Sequence, residues 1–142
     1  MRSLRRLVVV GATIVALTVL VPSVSAASPK AFHLDKTCAE DLSEPLGYIC
    51  TVQHSDFNGF PPGTDVHYTS QNEAGDVVQA TITIKNGSTN GVCVWSGPVN
   101  AVCTFSPGSG RLAQLHLVVD VTANADASVW YWDGRYWFGG GG

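Results

Sequence analysis

Residues 91–105, Gly91-Val92-Cys93-Val94-Trp95-Ser96-Gly97-Pro98-Val99-Asn100-Ala101-Val102-Cys103-Thr104-Phe105, read as two short strands folded back on one another. Valine, tryptophan, threonine and phenylalanine suit a pleated, half-buried surface, and Ser96-Gly97-Pro98 supplies the reversal between the two runs. Equal steps outward from that turn bring Cys93 opposite Cys103, so the hairpin predicts its own disulfide.

The same grammar extends in both directions. Strand-like runs fall at 31–36, 47–54, 64–70, 76–85, 91–95, 101–105, 111–122 and 128–133, with an extension over 135–138. Between them lie turn sequences: Phe60-Pro61-Pro62-Gly63, Glu73-Ala74-Gly75, Asn86-Gly87-Ser88, Pro107-Gly108-Ser109-Gly110 and Asp133-Gly134. Connections this short exclude parallel crossovers and leave an antiparallel meander. Val78, Ala80, Ile82 and Ile84 alternate with Gln79, Thr81, Thr83 and Lys85, and Leu115, Leu117, Val119 and Val121 alternate with Gln114, His116, Asp120 and Thr122, apart from the apolar Val118. Each strand therefore has one buried and one wet face. Helix is confined to one turn, a capping box at Thr37-Cys38-Ala39-Glu40.

The fold class is all-β: a meander of about eight strands. An open meander leaves two unpaired edges, so a small closed β-barrel is preferred to the alternative, a β-sandwich. Such a barrel either holds one small ligand or is filled by its own side chains.

Four cysteines allow three pairings. The nearest-neighbour pair, Cys38–Cys50 and Cys93–Cys103, is favoured because each bridge closes a short loop between successive strands. Each should contribute about 2–3 kcal/mol. Zinc thiolates are spaced more closely than these, and a redox-active C-x-x-C is absent, so no metal is expected.

The chain opens with Arg2, Arg5 and Arg6, an apolar run from Leu7 to Val21, Pro22, and the small residues Ser23-Val24-Ser25-Ala26-Ala27. That is the pattern of a cleaved secretory leader over 1–26, with the cut after Ala26. A retained anchor would need about 20 apolar residues, and this run is shorter and ends at Pro22. The Arg5-Arg6 pair lacks the rest of a twin-arginine signal, and no cysteine follows closely enough for lipidation. Residues 27–138 then form one exported domain and 139–142 a glycine tail, with no stable membrane insertion after cleavage. Without the leader, five basic residues (Lys30, Lys36, Lys85, Arg111 and Arg135) face eleven acidic ones, a net charge of −6. A scattered minority of cations on an acidic domain argues against nucleic acid as a partner.

At Gly108-Ser109-Gly110-Arg111-Leu112-Ala113 the chain resembles the G-x-G-x-L/F-A turn-and-strand signature of the allene oxide cyclase and dirigent-like family of small β-barrels. The resemblance covers one turn and the start of one strand, and Gln114-Leu115 replaces a further glycine of the family pattern. It implies a closed barrel and, as a functional expectation, a barrel-cavity isomerase or cyclase. None of the family's catalytic residues aligns, so no catalytic residue is assigned.

Three histidines stand two residues from an aspartate: His33 and Asp35, His54 and Asp56, and His67 with Asp65. Residues so spaced on a strand share a face about 7 Å apart. Pairing Cys38 with Cys50 brings all three pairs to one rim. Strict alternation nevertheless puts His54 on the face of Cys50 and Val52, and His33 on the opposite one. The expected role is solvent-facing hydrogen bonding. His116 and Asp120 share a face too far apart to act together, and Gly108-Ser109-Gly110 is too short for a nucleophile elbow.

Trp130-Tyr131-Trp132-Asp133-Gly134-Arg135-Tyr136-Trp137-Phe138 holds three of the four tryptophans. Alternation places Trp130 and Trp132 on one face and Val129 and Tyr131 on the other. Such a strand supplies large core residues, with Asp133-Gly134 as a hairpin turn, or lines a cavity or interface. Trp130, Trp132, Tyr136 and Trp137 are the candidate ligand-binding residues. The expected function is a secreted, non-enzymatic binding module, without cofactor, for a small apolar molecule, a glycan or an extracellular protein. The alternatives are the cavity isomerase or cyclase and a protease inhibitor presenting Trp95-Ser96-Gly97-Pro98-Val99-Asn100.

Overall fold

Eight antiparallel strands close into a barrel in simple chain order, β1 pairing with β8. The structure, a computed structural model, describes residues 27–139. The expected leader over 1–26 and Gly140 to Gly142 of the expected tail lie outside the described residues. The strands are β1 (Lys30–Glu40), β2 (Tyr48–Ser55), β3 (Asp65–Gln71), β4 (Val77–Ile84), β5 (Gly87–Gly97), β6 (Asn100–Phe105), β7 (Leu115–Ala123) and β8 (Trp130–Phe138). Closure satisfies the edge groups that an open meander would expose.

Alternation sets the interior. Val78, Ala80 and Ile82 of β4 and Leu115, Leu117, Val119 and Val121 of β7 are buried, as the sequence pattern requires. Both disulfides have the expected pairing and join directly opposed residues, Cys38 with Cys50 and Cys93 with Cys103. The hairpin over 91–105 is β5–β6, turning at Pro98-Val99.

Several local expectations are corrected. Thr37-Cys38-Ala39-Glu40 is strand, because β1 continues its pairing with β2 as far as Glu40 and Tyr48. The β4–β5 turn is the two-residue Lys85-Asn86, so Gly87 already belongs to β5. Residues 110–112 form a single 3-10 turn, and β7 starts only at Leu115. Its glycines serve close approach: a side chain on Gly108 or Gly110 would run into the backbone of Ser88 or Asn86 at the β4–β5 hairpin.

Asp133-Gly134 makes no turn. β8 runs through it, with Asp133 opposite His33 and Gly134 opposite both Phe32 and Val119. A Cβ at Gly134 would meet the β7 backbone at Val118 and Val119. Turn chemistry and tight strand coiling both select glycine, and here closure of the barrel is what selects it.

The two ends of the barrel differ. One carries the turns 41–47, 72–76, 98–99 and 124–129; the other carries the tight turn 85–86 and the longer connections 56–64 and 106–114. At the latter end Phe57, Phe60 and Leu112 fold inward over Phe32 and Phe105, all buried. Phe57 and Phe60 meet edge to face at 5.1 Å, and Phe57 lies 4.4 Å from the Tyr136 ring. The loop is held by Phe60 N donating to Phe57 O at 3.0 Å and Gly63 N donating to Val52 O at 2.8 Å. This end is sealed by rings; the short-turn end is a mouth.

Candidate functional site

Inward positions of β1 are Phe32, Leu34, Lys36 and Cys38, so the alternation that buries two apolar residues also drives a lysine into the barrel. Lys36 is 2% exposed. Its Nζ donates to the Tyr68 hydroxyl at 3.0 Å and lies 5.2, 5.4 and 5.8 Å from the ring centres of Trp132, Tyr68 and Trp130. Among the described residues no carboxylate reaches it; the two close ionic contacts are His33–Asp133 and His67–Glu44. Ring faces offset part of the cost of desolvating a cation, but each contributes only about 0.5–2 kcal/mol. Burial therefore pulls the Lys36 amine down to about 7 from its ordinary 10.5. Burial likewise pushes the Tyr68 hydroxyl well above its ordinary range, with Tyr48 adding to the effect, so Tyr68 keeps its proton.

Above this amine lies a cavity of about 180 Å³, open toward the mouth. Tyr48, Tyr68, Trp95 and Trp130 form its walls with the Cys38–Cys50 bridge, and Lys36 is its floor. Trp95 and Trp130 meet edge to face at 5.7 Å, and Tyr48 and Tyr68 lie 5.1 Å apart. Below Lys36 the barrel is filled: Trp132 packs against Phe105 at 5.3 Å, and its Nε1–H has no acceptor among the described groups. The volume suits one six-membered ring with a short substituent, since a cavity of about 150 Å³ admits benzene.

The four aromatic candidates of β8 do not form one site. Trp130 lines the mouth. Trp132 shares its inward face, as alternation requires, but is fully buried beneath Lys36. Tyr136 also points inward, at the sealed end, against Phe57 and Phe32. Trp137 is on the outer wall, stacked on His116 at 5.2 Å with the rings 3° from parallel. Nine residues of a strand cross the whole barrel, so one aromatic strand serves mouth, core, plug and exterior in turn. Trp95, in the expected inhibitor loop, turns into the mouth, leaving Pro98-Val99 as the tip of that hairpin.

The histidine reading is also corrected. A bulge opposite Asp35 and Lys36 sets Lys36 against Val52 but Asp35 against His54, with Gln53 the extra residue. His54 therefore leaves the face of Cys50 and Val52 and comes beside His33 outside the barrel, ring centres 6.4 Å apart. His33 bonds Asp133 at 2.6 Å through Nδ1, and its backbone N–H donates to Asp56 at 2.9 Å. His67 does not join them; it bonds Glu44 of the β1–β2 turn at 2.9 Å. Among the described residues no three His, Cys, Asp or Glu side chains converge on a metal site.

Lys36, Tyr48 and Tyr68 are the residues that sequence reasoning missed. The signal was present: Lys36 has the parity of Phe32, Leu34 and Cys38, and Tyr68 that of Val66. No family model, no curated protein and no solved structure matches the chain. Among the described residues no helix is long and apolar enough to cross a membrane.

Proposed function

We propose that this chain is an exported binding module that takes a small, planar, largely apolar molecule into the mouth of its barrel. The observation that carries the reading is the construction of the mouth, where four rings enclose an open cavity of about 180 Å³ floored by a buried amine; the cleft of about 170 Å³ at the other end, where Tyr136 and Trp137 meet Phe57 and Phe138, has no such floor. Apolar walls with one or two fixed polar groups are the usual construction of a small-molecule site. A sugar fits less well, because Lys36 Nζ and the Tyr68 hydroxyl would leave most of its hydroxyls without partners. Export rests on the leader pattern over 1–26 and is supported by two disulfides, which persist in oxidising compartments.

Titration with benzyl alcohol, followed by tryptophan fluorescence, tests this reading. A saturable change that is lost in Trp130→Ala supports it; a linear, non-saturating response at millimolar concentration counts against it. The enzyme reading, a cavity isomerase or cyclase, draws on Lys36 and Tyr68 as polar groups inside the cavity. It requires that a bound molecule leave chemically altered.

A further inference from the structure

Lys36 is a poor residue for packing alone. An aliphatic side chain of its length would fill the same space without desolvating an amine, and replacing buried charges by apolar residues is often neutral or stabilising. Its surroundings are those that activate lysine as a nucleophile: an apolar pocket, no carboxylate to hold the proton, and direct access from the cavity. A simple anion site is less well supported, because the four walls turn aromatic surface toward the same space and offer no second cation.

We infer that Lys36 captures a small aromatic or unsaturated aldehyde as an imine, the carbonyl carbon bonding to Nζ at the floor of the ring-lined cavity. The inference rests on the mouth being a ligand site and names the ligand's reactive group. The lone pair of neutral Nζ attacks the carbonyl carbon, and the C–O π electrons move to oxygen, which is protonated. The nitrogen gives up a proton, the hydroxyl leaves with another as water, and the C=N bond forms. One aldehyde and one amine thus yield one imine and one water, with no oxidant or reductant consumed. Tyr68, protonated and 3.0 Å from Nζ, is placed to donate to the carbonyl oxygen and then to the imine nitrogen. When the imine carries a proton, the faces of Trp130, Trp132 and Tyr68 that now surround the ammonium stabilise that cation.

The full mature chain is incubated with benzaldehyde and cyanoborohydride, and benzylated lysines are located by peptide mass spectrometry. Mapping separates Lys36 from Lys30, Lys85 and the α-amino group, which titrates near about 8. Expected at pH 7 is labelling of Lys36 roughly tenfold or more faster than Lys30 and Lys85. At that pH about half of the Lys36 amine is neutral and able to attack. Excess benzyl alcohol, which has the same ring but no carbonyl, should slow Lys36 alone. Labelling of Lys36 no faster than of the other two lysines, with benzyl alcohol still bound, overturns the imine and leaves the pocket standing. Absence of both labelling and benzyl alcohol binding overturns the imine and the pocket together.

Discussion

The two ends of this barrel are built from the same kind of side chain to opposite effect. At the sealed end Phe57 and Phe60 descend from a nine-residue connection and pack ring on ring with Phe32 and Tyr136, with the Tyr136 hydroxyl the one polar group on these four side chains. At the mouth the connections are shorter and lay no aromatic ring across the opening, so Tyr48, Tyr68, Trp95 and Trp130 stand around a space they do not fill. The aromatic residues of the 56–64 connection decide which end has a lid. The buried amine then decides what the open end is good for, since a lysine among rings is unfavourable for stability and valuable for chemistry.

If that contrast is right, damage at the plug and damage at the mouth should have different signatures. Phe60→Ala should cost about 3–5 kcal/mol in chemical denaturation, because it empties a fully buried position, yet leave the affinity for benzyl alcohol nearly unchanged. A large loss of affinity would mean that the two ends are not independent. Removing the mouth bridge with Cys38→Ser and Cys50→Ser should cost about 2–3 kcal/mol and also weaken binding, because that bridge walls the cavity. Equal weakening on removal of Cys93–Cys103 would blur the distinction.

Lys36→Met should act in the opposite direction and raise stability. With the amine pulled down to about 7 in the folded chain and near 10.5 when unfolded, the unfolded chain binds more protons between those values. Stability of the native protein therefore rises with pH across that window, and the cost of burying the charge is fully present below pH 7. The gain from Lys36→Met should be largest at pH 6, about 2 kcal/mol after loss of the Tyr68 hydrogen bond, and should shrink toward pH 10. A gain that does not change with pH would show that Lys36 is not desolvated. The smallest effect belongs to Trp95→Ala. Its ring is half-buried at the rim, so stability should fall by about 1 kcal/mol while benzyl alcohol binds roughly tenfold more weakly.

Much of this was written in the sequence. Alternation in β4 and β7 gave the core, equal steps from Ser96-Gly97-Pro98 gave the Cys93–Cys103 pair, and the two unpaired edges of a meander argued for closure. What escaped is what closure itself creates. The bulge at Gln53 is a one-residue slip with no local signature, and it alone brings His54 beside His33. Gly134 follows an aspartate and reads as a turn until β7 is laid across it. Phe57 and Phe60 lie in a loop, where no period marks which side faces inward. Lys36 was legible by parity alone, against the rule that a charged side chain on a half-buried strand faces water.

The most direct test of the central claim is two-dimensional NMR of the four indole N–H groups during titration with benzyl alcohol. The account predicts saturable shifts for Trp95 and Trp130 at the mouth, with Trp137 on the outer wall unmoved. Uniform small shifts, or a response confined to Trp137, would contradict it and place any ligand outside the barrel.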